Sequence, residues 1–191
     1  MSKIRVATPG LLFGSFLYRH HDISEATIIS LWEGRAGASD YFYPEKTPGG
    51  AEFQRQLKRY YSKEMGAVEG LSRFMAITQA ACPREELVEG KLWAIEVENS
   101  FMRPEGRSLN LDIGMLTLEN FQLATGKNFT HRQYISRGIF ADLTLIYEHG
   151  LKPLPWSYKD YSDPQVTEFL NAKRQFLLKL LNHQGIKTCL E

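Results

Sequence analysis

Four short apolar or aromatic runs and two helical segments share the first 113 residues, and their order limits the possible folds more than any other feature. The runs predict strands at residues 11–18, 38–43, 73–81 and 109–113. Asp22 and the acid three positions after it have the spacing of a helix N-cap, which predicts a helix that begins after Asp22 and continues through Trp32. Pro83, with acids two and three positions later, predicts a second helix. The resulting order, β-α-β-β-α-β, indicates an α+β fold with a ferredoxin-like core.

A β-hairpin is predicted beyond this core. Residues 131–135 and 139–147 have the composition of strands, and Gly138 suits the left-handed position of a three-residue loop between them. In this register Arg132 lies opposite Asp142.

A long helix is predicted to complete the domain. Asp163 and the proline after it form a helix start. Six residues at helical spacing predict its apolar face: Val166, Phe169, Leu170, Leu177, Leu180 and Leu181. Residues 118–125 fit either a strand or a helix, and residues 150–161 fit a loop. We expect one domain over residues 1–189, with residues 190–191 left from a purification tag.

The composition of the 191-residue chain excludes several classes of protein. A hydrophobic fraction of 43% and a charged fraction of 24% are those of a soluble globular protein. Lys and Arg together number 23, and Asp and Glu 22. This near-neutral balance argues against nucleic acid as the main partner. No run of about 18 apolar residues occurs, so we expect no membrane span.

The cysteines and histidines predict no metal site. Cys82 and Cys189 are far apart, which favours two free thiols in a reducing cytoplasm. The five histidines lack the spacings of metal ligands, and there is no Gly-x-Ser-x-Gly motif. Cys82 precedes a predicted helix, where a thiol pKa can fall, but it fits better as the buried end of a strand. The sequence leaves any cofactor open.

Gly126 and Lys127 resemble part of a phosphate-binding P-loop, but two required positions differ. Phe121 replaces the first glycine, and Asn128 replaces the hydroxyl residue that binds magnesium. A looser anion site fits four polar residues within eight positions. They are Thr125, Lys127, His131 and Arg132. The alternative is a solvated turn before an edge strand.

Two carboxylates and a set of aromatic residues are further candidates. Asp112 ends the fourth predicted strand, where ligands are often bound. Asp142 must be paired or solvated, and Arg132 is its structural partner in the hairpin; the alternative is a catalytic role. The aromatic residues either pack loops on the core or stack ligand rings: Tyr60, Tyr61, Trp156, Tyr158 and Tyr161.

Seven motifs follow one another along nearly the whole chain, at residues 60–66, 83–87, 110–117, 123–127, 131–134, 138–145 and 153–161. Together they resemble the DUF4416 family, a bacterial family of unknown function. Some of its members carry a label of GTP-binding protein, which the incomplete P-loop does not support. The chain departs from the family pattern at Ile113, Met115, Phe140 and Asp142, where the family favours Pro, Tyr, Tyr and Glu.

The resemblance and the residue patterns together predict a site for a small anionic or phosphorylated ligand around Lys127, His131 and Arg132. The predicted ligand-binding residues are Tyr60, Thr125, Lys127, Arg132 and Asp142. The predicted proton carriers are His131, Glu64 and Asp112. The alternative is a non-catalytic protein-interaction module that uses an open sheet face or edge. The first hypothesis requires the polar side chains to converge in one pocket; the second requires an exposed apolar patch without such a cluster.

Overall fold

The computed structural model describes residues 4, 6–53, 55, 61, 65, 70–104 and 106–186. Within these residues, eight strands form one sheet with antiparallel pairings. The order across the sheet is β10-β9-β7-β6-β1-β3-β2, and β8 pairs with β9. A separate two-stranded ribbon joins β4 to β5.

The strands are β1 Leu11–Arg19, β2 Ser39–Phe42, β3 Leu71–Thr78, β4 Met102–Arg103, β5 Gly106–Arg107, β6 Leu109–Leu116, β7 Asn120–Thr125, β8 Arg132–Ser136, β9 Ile139–Tyr147 and β10 Leu151–Pro153. The α-helices described from end to end are α1 Glu25–Ala36, α2 Glu86–Ser100, α3 Lys159–Ser162 and α4 Pro164–His183, and a 3-10 turn covers Pro44–Lys46.

The sheet has a hydrophobic core on each face. β1 lies at its centre, between β6 and β3. Leu11, Phe13 and Leu17 point toward the core that contains α4, whereas Leu12 and Phe16 point toward the core that contains α1 and α2. This alternation follows from the two-residue period of a strand. A strand buried on both faces has no polar side, which explains its nearly continuous apolar sequence.

The α+β class and the long C-terminal helix are confirmed, and the ambiguous residues 118–125 contain strand β7. The predicted hairpin is also present, with Arg132 opposite Asp142. The narrower ferredoxin-like topology stays a prediction, because the sheet has eight strands. The four strands first predicted from the sequence are neighbours in the order β6-β1-β3-β2, and β7 to β10 extend this part of the sheet.

The start of α1 and the hairpin loop differ from their predictions. The cap of α1 is Ser24 rather than Asp22, and its hydroxyl accepts from the amide of Thr27 at 3.1 Å. The hairpin loop has two residues rather than three, because Arg137 and Gly138 both have positive φ, 53° and 80°, as a tight hairpin turn requires. The ladder shifts by one residue before Ser136, a β-bulge that accommodates the shorter turn.

The C-terminal part confirms the predicted helix start and corrects two details. Asp163 caps α4, and its carboxylate accepts from the amide of Gln165 at 2.9 Å. Leu180 is only half-buried, while Arg174 is buried on the same helix and donates to the carbonyl of Leu118 at 2.7 Å. The predicted loop 150–161 contains β10 and the start of α3. Among the described residues, no helix combines the length and apolar character needed to cross a bilayer.

Candidate functional site

A cavity of about 400 Å³ lies where β6 and β7 separate. The two strands pair only over the last three residues of β6, from Gly114 to Leu116. Before Gly114, β6 has β1 on one side and no described strand on the other. A Cβ atom on Gly114 would lie 2.9 Å from the ring of Phe121, so the absence of a side chain permits the close approach where the strands begin to part. Side chains that approach from both faces of the sheet line this gap, among them Lys91 of α2 and Tyr161 of α3.

Helix α2 forms one wall of the cavity and takes the place of the missing strand partner. The carboxylate of Glu98 accepts from the Leu111 amide at 2.7 Å, and Lys91 Nζ donates to the Leu111 carbonyl at 3.0 Å. These side chains are seven residues apart, two helical turns, so they lie on the same face. Burial raises the pKa of Glu98, and the charge of Lys91 opposes that rise without cancelling it. Glu98 therefore keeps its proton to higher pH than an exposed glutamate.

A buried ion cluster supports the opposite side of the cavity. Arg73 on β3 is fully enclosed and forms ion pairs with Asp160 and with Asp112, the latter at 3.2 Å. Its Nε donates to the hydroxyl of Ser15 at 2.8 Å. The hydroxyl of Tyr161 donates to the same Asp112 oxygen at 3.2 Å. We call Arg73, Asp112, Asp160, Tyr161 and Ser15 the floor cluster.

Burial and nearby negative charge oppose each other in their effect on the pKa of Arg73, but both raise the pKa of Tyr161. Burial alone would lower the pKa of Arg73, but the nearby carboxylate of Asp160, followed by smaller contributions, raises it above its ordinary value. Burial raises the pKa of Tyr161 well above that of a free tyrosine, and the negative charge of Asp112 adds to the rise. Arg73 is therefore a permanent cation, and Tyr161 a permanent hydrogen-bond donor at neutral pH.

The hairpin forms the rim of the cavity. Arg132 Nε donates to Asp142 at 2.9 Å, while its two terminal nitrogens donate to the Lys127 carbonyl at 3.0 Å and to the Tyr158 hydroxyl at 3.1 Å. The imidazole of His131 approaches the same Asp142 oxygen at 3.3 Å. These three residues, Arg132, Asp142 and His131, are the rim cluster. Arg132 donates hydrogen bonds to three different residues, so its side chain has little freedom to move toward a ligand.

A family model described as a domain of unknown function, DUF4416, matches residues 8–176. The chain belongs to the DUF4416 family. No curated protein and no solved structure matches it. The match extends from before β1 into α4, so every residue named above as part of the site lies inside the DUF4416 region.

Five of the predicted site residues line the cavity of this DUF4416 chain: Asp112, Thr125, Lys127, Arg132 and Asp142. His131 does not line it; its ring stacks on Trp156 at a centroid distance of 5.1 Å and packs edge-on against Phe129 at 5.3 Å. Tyr60 and Glu64 lie outside the described residues.

Thr125 and Lys127 lie at the end of β7, where the chain leaves the sheet. The Thr125 hydroxyl accepts from the amide of Lys127 at 3.2 Å, which leaves its own proton for another acceptor. Lys127 is exposed, and no described residue holds its ammonium group by an ion pair or hydrogen bond.

Several cavity residues were missed by the sequence reasoning: Lys91, Glu98, Arg107 and Asn110. The spacing of Lys91 and Glu98 on a helix was a usable signal, and so was Arg73 inside an otherwise apolar strand. Tyr161 is buried in the core and also lines the cavity. Tyr61 and Tyr158 line the cavity.

Cys82 is half-buried, and burial raises its pKa to about 11. A nucleophilic thiol requires the opposite shift. Within the described residues, no group of three His, Cys, Asp or Glu side chains is placed to hold a metal ion.

Proposed function

We propose that the cavity between β6 and β7 binds a small ligand through an anionic group, with a phosphate monoester as the simplest example. The observation that carries this proposal is the exposed ammonium of Lys127 at a cavity lined by three further cations. Those cations are Lys91, Arg107 and Arg132. The volume of about 400 Å³ is in the range of sites for small molecules.

The cationic residues contribute differently to this proposed site. Arg132 is neutralised by Asp142 at 2.9 Å, so its role is to shape the rim and to add a hydrogen-bond donor. Lys127 supplies the uncompensated charge, and the Thr125 hydroxyl supplies a neighbouring donor. Asp112 lines the cavity and is the best-supported proton carrier, since His131 lies behind Asp142.

The proposal is tested by thermal unfolding of the protein with inorganic phosphate, phosphate monoesters and carboxylates at low salt. A ligand at about 100 times its Kd adds roughly 2.7 kcal/mol, which raises Tm by about 5–10 °C for a chain of this length. Lys127→Ala should abolish the shift. Lys152→Ala is the matched control, because Lys152 is an exposed lysine paired only with Glu148 on the same surface segment. The proposal fails if no anion shifts Tm, or if both variants respond like the parent.

A protein-interaction role is the second candidate, and it rests on the surface of the hairpin. Tyr134 and Ile135 on β8 are exposed, and among the described strands only β9 pairs with β8. Such an edge can accept a strand from a protein partner. Ile135→Lys should then weaken the partner's binding without changing the phosphate response. Helices pack on both faces of the sheet, which favours the edge over an open face for this role.

Three narrower expectations belong with these proposals. The neighbouring order β6-β1-β3-β2 supports a ferredoxin-like core. The thiol of Cys82, which forms no disulfide, supports a reducing, cytoplasmic location. Bacterial origin rests on the resemblance, and the charge balance supports a small anionic ligand over nucleic acid.

A further inference from the structure

We infer that the ligand of this cavity carries, besides its anionic group, a hydroxyl or ammonium group whose hydrogen is accepted by Asp112. This inference rests on the proposed function and narrows the class of ligand. It excludes an inorganic anion without hydrogen, such as sulfate, as the natural ligand, because such an anion has no group that can donate a hydrogen bond to a carboxylate.

The first argument is the unused hydrogen-bonding capacity of Asp112. Its Oδ2 accepts from Arg73 Nη2 and from the Tyr161 hydroxyl, both at 3.2 Å. Its Oδ1 accepts from Asn110 Nδ2 at 3.4 Å, beyond the usual length of such a bond. A carboxylate has about four acceptor positions. The Asp112 side chain is 30% exposed and lines the cavity, so its remaining positions are accessible to a ligand.

The second argument is the charge of the floor cluster. Arg73 is one cation shared by two carboxylates, Asp160 and Asp112, and Tyr161 stays neutral. The cluster therefore carries one negative charge in excess. Asp160 is the more enclosed carboxylate, with 14% of its side chain exposed against 30% for Asp112. The excess charge is presented to the cavity at Asp112, where a donor from the ligand would stabilise it.

The third argument is the separation of the two kinds of group. Thr125 and Lys127 lie at the end of β7, and Asp112 lies on β6, across the gap where these strands part. A ligand that spans the gap therefore contacts the cation of Lys127 at one end and the carboxylate of Asp112 at the other. A molecule with a phosphate or carboxylate at one end and a donor a few bonds away matches both.

Three phosphate monoesters of nearly equal size test the inference by isothermal titration calorimetry: ethyl phosphate, 2-hydroxyethyl phosphate and 2-aminoethyl phosphate. Ethyl phosphate is the control, because it has no donor outside its phosphate group. A hydrogen bond to a charged group contributes about 1.5–3 kcal/mol, so at least one donor-bearing ester should bind about tenfold or more tightly than ethyl phosphate. A larger gain for the amine identifies an ammonium group, and equal gains identify a general donor.

Asp112→Asn should bring the affinities of the donor-bearing esters closer to that of ethyl phosphate, because asparagine keeps an acceptor oxygen but loses the negative charge. Asp40→Asn is the matched control, because Asp40 pairs with Lys173 away from the cavity. If Asp112→Asn does not fold, the three affinities of the parent protein decide the question alone. Equal affinities for all three esters overturn the inference but leave the proposed function standing. A donor advantage of unchanged size in Asp112→Asn also overturns it. Binding of none of the three overturns both.

Discussion

Two arginines hold carboxylates beside the same cavity, and they do so in different ways. Arg73 of the floor cluster has no exposed side-chain surface and binds two carboxylates, Asp112 and Asp160. Arg132 of the rim cluster has 10% of its side chain exposed and binds one carboxylate, Asp142. The difference extends to the origin of the partners, because 10 positions separate Arg132 from Asp142 but 87 separate Arg73 from Asp160.

The comparison separates two ways of placing a charge at a site. The rim pair follows from the register of one hairpin, so the local chain determines it. The floor cluster depends on three adjacent strands and on α3, so it exists only when the tertiary fold is complete. Removing a charge from the floor should therefore affect the whole domain, whereas the rim should respond locally.

Arg73→Met tests this difference with the largest expected effect. Removing the cation leaves Asp160 and Asp112 without their buried partner, which costs about 3–5 kcal/mol of unfolding free energy. The measurement is urea denaturation. Arg137→Met is the control, because its pair with Glu89 is largely exposed and should change stability by about 1 kcal/mol or less. Equal losses in the two variants would contradict the structural role of the floor cluster.

Arg132→Met should lower the unfolding free energy by less, about 2 kcal/mol, because Asp142 keeps His131 as a partner at 3.3 Å. The same denaturation experiment gives the comparison directly. Adding Asp142→Asn to this variant removes the carboxylate charge that Arg132 no longer neutralises, so it should restore part of the lost unfolding free energy. A loss as large as that of Arg73→Met would show that the rim is as closely coupled to the fold as the floor.

Gly114→Ala acts between the two clusters, where β6 and β7 begin to part. The added methyl would approach the Phe121 ring at 2.9 Å and the Gln122 carbonyl at 3.0 Å, so we expect a loss of about 1–2 kcal/mol from overpacking. Gly34→Ala is the control. Gly34 lies in α1 with nothing within 4 Å of an added Cβ, so it should gain up to about 1 kcal/mol from helix propensity. Thermal unfolding of both variants distinguishes crowding from a general effect of the substitution.

Glu98→Gln should have the smallest effect, visible mainly in its pH dependence. The pKa of Glu98 is raised in the folded protein, so its contribution to stability is present below the unfolded value of about 4.5 and is lost as pH rises through the folded value. Glutamine keeps an acceptor for the Leu111 amide and does not ionise. The variant should therefore gain stability relative to the parent in urea denaturation as the pH rises above about 4.5. Glu96→Gln, on the exposed part of α2, is the reference. A pH-independent difference for Glu98→Gln would contradict the raised pKa.

The sequence was sufficient where structure depends on neighbouring residues. The hairpin register brought Arg132 and Asp142 together, and Asp163 began α4 as its side-chain chemistry predicts. Gly90 in α2 is unfavourable by helix propensity, yet its Cα lies so near β6 that an added Cβ would be 3.0 Å from Ile113. A propensity scale does not contain that contact.

The rest of the site depends on where the hydrogen-bonded pairing between β6 and β7 ends. Asn110 and Asp112 place polar side chains on β6 before its three residues that pair with β7. Neither strand alone encodes where that pairing ends, so the sequence does not reveal the gap. Lys91 and Glu98 become wall residues only because the backbone of Leu111 lacks a strand partner there. Arg73 was visible as a charge in an apolar strand, but its partners lie 39 and 87 positions away.

The long separation between Arg73 and Asp160 has a consequence during synthesis. A ribosome adds about 5–20 residues per second, so the 87 residues between them take roughly 4–17 s to make. β1 is already synthesised when that interval begins, and the rest of β3 and then β6 with Asp112 follow within it, but Arg73 still lacks Asp160, the more enclosed of its two carboxylate partners. The floor cluster therefore cannot form completely until α3 has been synthesised. The cavity is among the last parts of the molecule to be completed.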